Sequence, residues 1–427
     1  MNSNFHASVV ALAALALTAA GCAFIAAGNQ QAAIDATCVI SGRVETARKD
    51  ASPIVVVLLR QQEGQERPWR VADHFVLDQP GRWAFGAMPG DYALVAFKDR
   101  TKDLIYNPGD PYGVVAADAP LKCAAGGRLT DVAVVIPEKS AKPLPGRFDI
   151  PKLQRRDAQG QLVTTLGQLT RTGEIVSLSD KRFSQETAEA GLWRPYDFLF
   201  DTGAGVYFLE PYDPRRTPVL FVHGINGTPA SFDYLIDQLD HSRFQAWVYY
   251  YPSGAHLAAI ADHLDQTMAK LQGRYGFTRF AVVAHSMGGL VSRGFVQRRA
   301  QGPRANAIPL FVTISTPWGG HKAANAGVKT APVVVRVWED MVPGSGYQKS
   351  IYSAPLPNAT RHHMVFSFKG KSGGESGDGA VTVESQLLAE AQRDAVKAYG
   401  FEEDHMSVLR NAEVSQLVNR LLAETFR

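Results

Sequence analysis

The stretch FAVVAHSMGGLVSRGF, residues 280–295, sets a serine between an apolar run of strand length and an amphipathic run of helical length. Ser286 falls at the junction. A strand–turn–helix junction pushes its central side chain out at the edge of a sheet on a strained backbone, and the helix that follows offers free N–H groups and a positive dipole end to a developing oxyanion. The small residues Ala284 and Gly288 allow the helix to pack close to the strand. A second serine, Ser372 in KGKSGGESGDG, fits the pattern G-x-S-x-G more literally. There, however, glycines leave the hydroxyl unheld and no helical pattern follows, and a mobile hydroxyl cannot be kept in attack geometry. Ser372 is expected in a flexible loop, and Ser286 is the candidate nucleophile.

Outward from Ser286 the same alternation continues. After Pro218, PVLFVHG is followed by SFDYLIDQLD, QAWVYYYPS by HLAAIADHLDQTMAKLQGRYG, and RFAVVAHS by GLVSRGFVQRRA, with PLFVTIS next. Strands apolar on both faces and alternating with amphipathic helices predict an α/β fold with a doubly wound, mostly parallel sheet. In such sheets, sites form at the carboxyl ends of strands.

A serine hydroxyl needs a base to take its proton, and the base needs an orienting carboxylate. With the nucleophile on such an elbow, acid and base follow it in that chain order. Among the downstream histidines, His362 and His363 open an apparent strand, HHMVFSF, and belong to its packing, while His321 follows a Gly-Gly turn. His405, in the polar loop EEDHMSVLRN before the terminal amphipathic run AEVSQLVNRLLAE, is placed to reach over the sheet and is the candidate base. Asp378, flanked by Gly377 and Gly379 after HHMVFSFKG, is the candidate acid. It is preferred to Asp340, Glu384 and Asp404. The oxyanion donors are expected to be the N–H groups of Met287 and of Ile225 in PVLFVHGINGTP. His223 is expected to brace that loop, and His285 to point away from the cleft.

The 427-residue chain carries a formal charge of only +3, and its basic residues are scattered, which argues against a nucleic-acid partner. No spacing suggests a metal site or a bound cofactor. Residues 37–139 read as an all-β domain of short strands separated by turn signals such as Pro80-Gly81 and Pro89-Gly90. Cys38 and Cys123 lie near its two ends and either bridge it or remain buried thiols. The Pro-rich segment after it suggests a linker over 140–164, leaving 165–427 for the α/β domain, with its core at 218–427 and an insertion at 321–357. The first residues, MNSNFHASVVALAALALTAAGCAF, read as a targeting segment too short to span a bilayer.

The motifs VLFVHGING, AVVAHSMGGLVSR, TISTPWGG, DGAVTVES and DHMSVLRN, in this order, resemble those of α/β-hydrolase-fold lipases and esterases. The likeness is to bacterial triacylglycerol lipases with an A-H-S-M-G elbow and to the inositol-deacylase-like branch. It implies an acyl-enzyme mechanism on carboxylic, lipid or long-chain acyl esters, with Ser286, Asp378 and His405 as the triad and no cofactor. The alternatives are an acyltransferase with the same triad and a non-catalytic surface binding protein. The insertion is either a lid or acyl-chain wall, or a structural element. Residues 37–139, through SGRV, PIVVVLL and FVLDQPGRWAFGAMPGDYALVAF, resemble transthyretin-like, carboxypeptidase-regulatory-like β-sandwiches. The segment 1–21 with Cys22 resembles a bacterial lipoprotein signal, which implies export, a lipidated Cys22, a tether over 22–36 and, with Ala23 next, the outer membrane.

Overall fold

Eight strands make the larger sheet: β1 (Arg171–Ile175), β2 (Gly205–Phe208), β3 (Thr217–Val222), β4 (Phe244–Tyr250), β5 (Ala281–His285), β6 (Leu310–Ile314), β7 (Arg361–Ser367) and β8 (Ala395–Phe401). Their order is β1-β2-β4-β3-β5-β6-β7-β8. From β4 to β8 every pairing is parallel, while β2 runs antiparallel to β4 and β1 runs parallel to β2. The computed structural model describes residue 32 and residues 36–427, apart from 48–49, 51, 63–67, 78, 117, 141, 152–169 and 303–304. The targeting segment and Cys22 therefore lie outside the described residues. Among the described residues, no helix is long and apolar enough to cross a membrane.

The continuous apolar character of the central strands has a direct cause: both faces are covered. Side chains alternate along a strand, so Leu220 and Val222 of β3, and Val282 and Ala284 of β5, pack into one core. Val219, Phe221, Ala281 and Val283 pack into the other. Helices α1 (Leu257–Tyr275) and α2 (Met287–Ala300) cover the first face, with α3 (Lys322–Thr330), α4 (Arg336–Met341) and α5 (Gly346–Ile351) beyond them. Helix α6 (Ala412–Thr425) covers the second. Each fully buried Val, Leu or Phe contributes about 1.5–3 kcal/mol, so these two layers dominate the stability of the α/β part. In α1 the buried residues Leu257, Ile260, Ala261, Leu264, Met268 and Leu271 recur at helical spacing, and Gly276, at φ 73°, ends the helix.

Ahead of this lies an N-terminal β-rich region of two sheets, a three-stranded one with one antiparallel and one parallel pairing and a larger, mostly antiparallel one. In one, Cys38–Thr46 lies between Arg82–Ala87 and Arg128–Ile136. The other joins Tyr112–Val115, Gly90–Lys98, Ile54–Gln61 and Trp69–Leu77 in that order. Ile40, Phe85 and Val134 from the first sheet share a core with Val56, Leu58 and Leu94 from the second. A Cys38–Cys123 disulfide, with a Cα separation of 5.8 Å, links the sheets, which decides between the bridge and the buried thiols.

The segment expected to begin a linker at residue 140 instead runs along this region as far as residue 150. Tyr112 N–H donates to Ser140 Oγ at 2.9 Å, Leu144 N–H donates to the Tyr106 hydroxyl at 3.1 Å, and Phe148–Asp149 pairs with Trp69 and Arg70. Prolines keep the backbone extended, but Leu144, Phe148 and Ile150 supply enough apolar surface to hold it down. Helix α1 meets the same region on its other side: Ala269 is buried in the N-terminal core, and Lys270 Nζ lies 3.6 Å from Asp73.

Candidate active site

The end of β5 and the start of α2 form a tight junction. Ser286 N–H donates to the carbonyl of Ile314 on β6 at 2.8 Å, which fixes the turn to the sheet. Ser286 itself sits at φ 54° and ψ −133°, a conformation that costs a non-glycine residue of order 1–3 kcal/mol. The flanking glycines are needed for room. A Cβ on Gly288 would lie 2.3 Å from the carbonyl oxygen of Val222, and one on Gly289 would lie 2.1 Å from Thr316 Oγ1. Met287 is the first helical residue, so its N–H has no acceptor within the helix.

The loop before α6 brings His405 over this turn. Its Nε2 lies 2.9 Å from Ser286 Oγ, and its Nδ1 lies 2.8 Å from Asp378 Oδ2. A carboxylate only accepts, so Nδ1 carries the proton and Nε2 is left to receive one from the serine hydroxyl. His405 N–H also donates to the Asp378 carbonyl at 2.9 Å. Asp378 stands in the turn after β7, where Gly379 takes φ 94°.

Five donors surround the Asp378 carboxylate. Oδ1 accepts from Ala380 N–H at 3.0 Å and Val381 N–H at 2.7 Å. Oδ2 accepts from His405 Nδ1, from Ser367 Oγ at 2.9 Å and from Gln386 Nε2 at 3.2 Å. Burial pushes this carboxyl up, but the bond and charge of His405 and the two backbone donors outweigh burial and hold it below 3.8. The group therefore stays ionised although its side chain is fully buried.

The loop after β3 closes on Ser286. A Cβ on Gly224 would lie 2.7 Å from Ser286 Cβ, so only glycine lets the backbone approach this closely. Ile225 follows in the turn that Gly227 N–H closes by donating to the Gly224 carbonyl at 3.2 Å. His223 lies beneath, stacked on Tyr251 with ring centroids 4.2 Å apart, and the Tyr251 hydroxyl donates to the His223 carbonyl. Burial pushes the imidazole down to about 4, so it is neutral, and its Nδ1–H donates to the Gly224 carbonyl at 2.8 Å. Asn226, at φ 51°, is tied by its N–H to Ser253 Oγ at 3.0 Å.

The other sequence candidates lie elsewhere. His362 is buried beside Thr313 Oγ1 at 3.0 Å, and His363 packs against Tyr399. His321 caps α3 and donates from Nε2 to the Ala380 carbonyl at 2.8 Å. Asp340 receives Leu257 N–H at 2.7 Å and pairs with His256 at 3.1 Å. Asp404 caps its own turn through Met406 and Ser407. Ser372 is in a short hairpin rather than the expected loose loop, because Gly373 and Gly374 take φ 57° and 88° and make a tight turn. Its hydroxyl donates to the Ala380 carbonyl at 2.6 Å. His285 leaves the side of the serine hydroxyl and meets the loop that carries His405: its Nε2 lies 2.8 Å from the His405 carbonyl.

Sequence reasoning missed Ser367 and Gln386, and with them Ser315, whose hydroxyl lies 2.6 Å from that of Ser367. One signal was available: a serine closes each of the apolar runs PLFVTIS and HHMVFS, at the strand ends where sites form. Among the described residues, no group of three or more His, Cys, Asp or Glu side chains is placed to hold a metal ion.

Residues 253–425 match a family described as an alpha/beta hydrolase of unknown function (DUF915). That span is less than half of the chain, and it contains Ser286, Asp378 and His405. The fold is that of an α/β hydrolase preceded by the β-rich region. Among solved structures, the mature form of the Bacillus licheniformis lipase BlEst2 is 18% identical, with 51% of this chain and 97% of that chain covered and a TM-score of 0.42. The product of the lin2722 gene of Listeria innocua is 17% identical, with coverage of 50% and 95% and a TM-score of 0.39. No curated protein matches the chain.

Proposed function

We propose that the protein is a serine hydrolase that cleaves carboxylic esters through an acyl-enzyme. The observation that carries this reading is the unbroken line from the Asp378 carboxylate through both His405 nitrogens to Ser286 Oγ, with the serine held at φ 54° at a strand–helix junction. Ser286 attacks the acyl carbonyl as His405 Nε2 takes its proton. Asp378 steadies the imidazolium, the Met287 and Ile225 N–H groups receive the oxyanion, and the alcohol leaves with the proton from His405. Water then repeats the sequence on the acyl-enzyme.

An apolar acyl group is supported by the surroundings of the turn. Met287 is buried in the core beneath the turn, which takes in Val337 and Met341 of the insertion, and Ile225 and Trp338 pack against that core, partly buried. This favours lipid or long-chain acyl esters, with helices α3–α5 as the wall. We also propose that Cys22 is lipidated and tethers the exported enzyme to the outer membrane, near such substrates; loss of palmitate incorporation in Cys22→Ala is the test.

Ser286→Ala is expected to fold normally, to lose fluorophosphonate labelling and to lose turnover by a factor on the order of 10⁶. Turnover equal to the wild type would remove the assignment. Across p-nitrophenyl esters from acetyl to palmitoyl, kcat/KM is expected to rise with chain length, and a preference confined to acetyl would remove the lipid reading.

A further inference from the structure

We propose that His285 is a positioning residue for the base, holding the peptide carbonyl of His405 from the end of β5. The inference rests on the reading of Ser286 and His405 given above and extends it to the residue just before the nucleophile.

Residue 285 has the same parity along β5 as Ala281 and Val283, which face the core beneath α6. That parity aims its ring at the loop running from residue 405 into Ser407–Arg410, whose Val408 and Leu409 lie in the same core. The ring is buried, its centroid is 4.7 Å from that of His405, and its Nε2 lies 2.8 Å from the His405 carbonyl. A carbonyl can only accept, so the His285 proton sits on Nε2.

With this bond every polar group of His405 is held by part of the site. Its N–H is held by the Asp378 carbonyl, Nδ1 by the Asp378 carboxylate, Nε2 by Ser286 and its carbonyl by His285. Three of these bonds act on the imidazole or the chain before it, whereas that of His285 ties the peptide after it to β5, beside the local bonds from Met406 and Ser407 N–H to Asp404. Because residues 285 and 286 are neighbours at the end of β5, one short covalent span joins the bond on the His405 carbonyl to the bond on its Nε2.

His405 is the titratable group in contact with His285, and Asp378 and His223 act on it electrostatically. Burial, helped by the nearby His405, pushes the His285 imidazole down to about 3. It therefore remains a neutral donor when His405 takes the serine proton and does not compete for it.

The test compares His285→Leu, His285→Gln and His285→Asn in the full chain, reading kcat and KM on a p-nitrophenyl ester together with the thermal midpoint. Glutamine carries an amide N–H at the reach of Nε2, whereas asparagine falls short. A displacement near 1 Å costs on the order of 10² in rate, so His285→Leu and His285→Asn are expected to lose about 10- to 100-fold in kcat with KM nearly unchanged. His285→Gln is expected to retain kcat within about threefold of the wild type on the same grounds. If His285→Leu does not fold, the comparison of Gln with Asn decides. A Leu variant with wild-type kcat, or Gln impaired as much as Asn, would overturn the inference. If the wild type is active and Ser286→Ala is not, these outcomes bear on His285 alone; if the two are equally inactive, the underlying reading falls and takes the inference with it.

Discussion

Replacing Ser367 with alanine removes one donor from Asp378 and leaves the four others in place. A hydrogen bond to a charged group contributes about 1.5–3 kcal/mol, and one pKa unit corresponds to about 1.4 kcal/mol. The Asp378 carboxyl should therefore rise in the variant and yet stay ionised at neutral pH. The sign follows from its direction in the wild type. A carboxyl held below 3.8 contributes stability that is present above 3.8 and is lost as the pH falls through its folded value. In Ser367→Ala that loss starts at higher pH. Urea unfolding at pH 7 should show the variant less stable by about 1.5–3 kcal/mol, and the gap should narrow at a pH low enough for the carboxyl to take up a proton in both proteins. Turnover at pH 7 should fall only modestly. A gap that is the same at both pH values would mean that Ser367 does not recognise the charged carboxylate, and the account of the acid would be refuted.

Gly224→Ala places a methyl 2.7 Å from Ser286 Cβ and must push the loop after β3 back. It should cost about 10²–10³ in kcat with little change in the unfolding midpoint, and full activity would show that the loop contributes no donor. Replacing both Cys38 and Cys123 by serine opens a link across a sequence separation of 85 and should destabilise the N-terminal region by about 2–4 kcal/mol. The check is calorimetry, in which a reductant should shift the wild type but not the variant. The His256 imidazole is raised above 6.5 by its bond to Asp340, against burial. That contribution is complete below pH 6.5 and fades as the pH rises through the folded value. The midpoint gap between the wild type and His256→Asn should therefore be larger at pH 6 than at pH 9, and an equal gap would contradict the pairing.

The elbow was legible because its signal is local: five apolar residues, a serine and two glycines are adjacent in sequence and in space. His405 and Asp378 were legible for a weaker reason, as polar residues in loops at the carboxyl side of apolar runs in the right chain order. The clamp around the carboxylate was not. Gln386 sits on a single helical turn, Val383–Gln386, and its reach to Ser367 depends on how that turn docks on β7, which no periodicity records. The run APVVVRVW concealed helix α4, since its valines favour extended backbone and the helix begins only at Arg336. The Pro-rich segment after residue 140 misled in the opposite sense: its composition fixed an extended backbone but did not show the surface it would lie on.

Helix α1 turns one flank to the α/β core and buries Ala269 in the N-terminal core, with Lys270 beside Asp73. Cutting the chain between the two parts would thus uncover a seam on each fragment, and both pieces would tend to clump. An engineer seeking the α/β part alone would have to repaint that flank with soluble side chains before the knife is used.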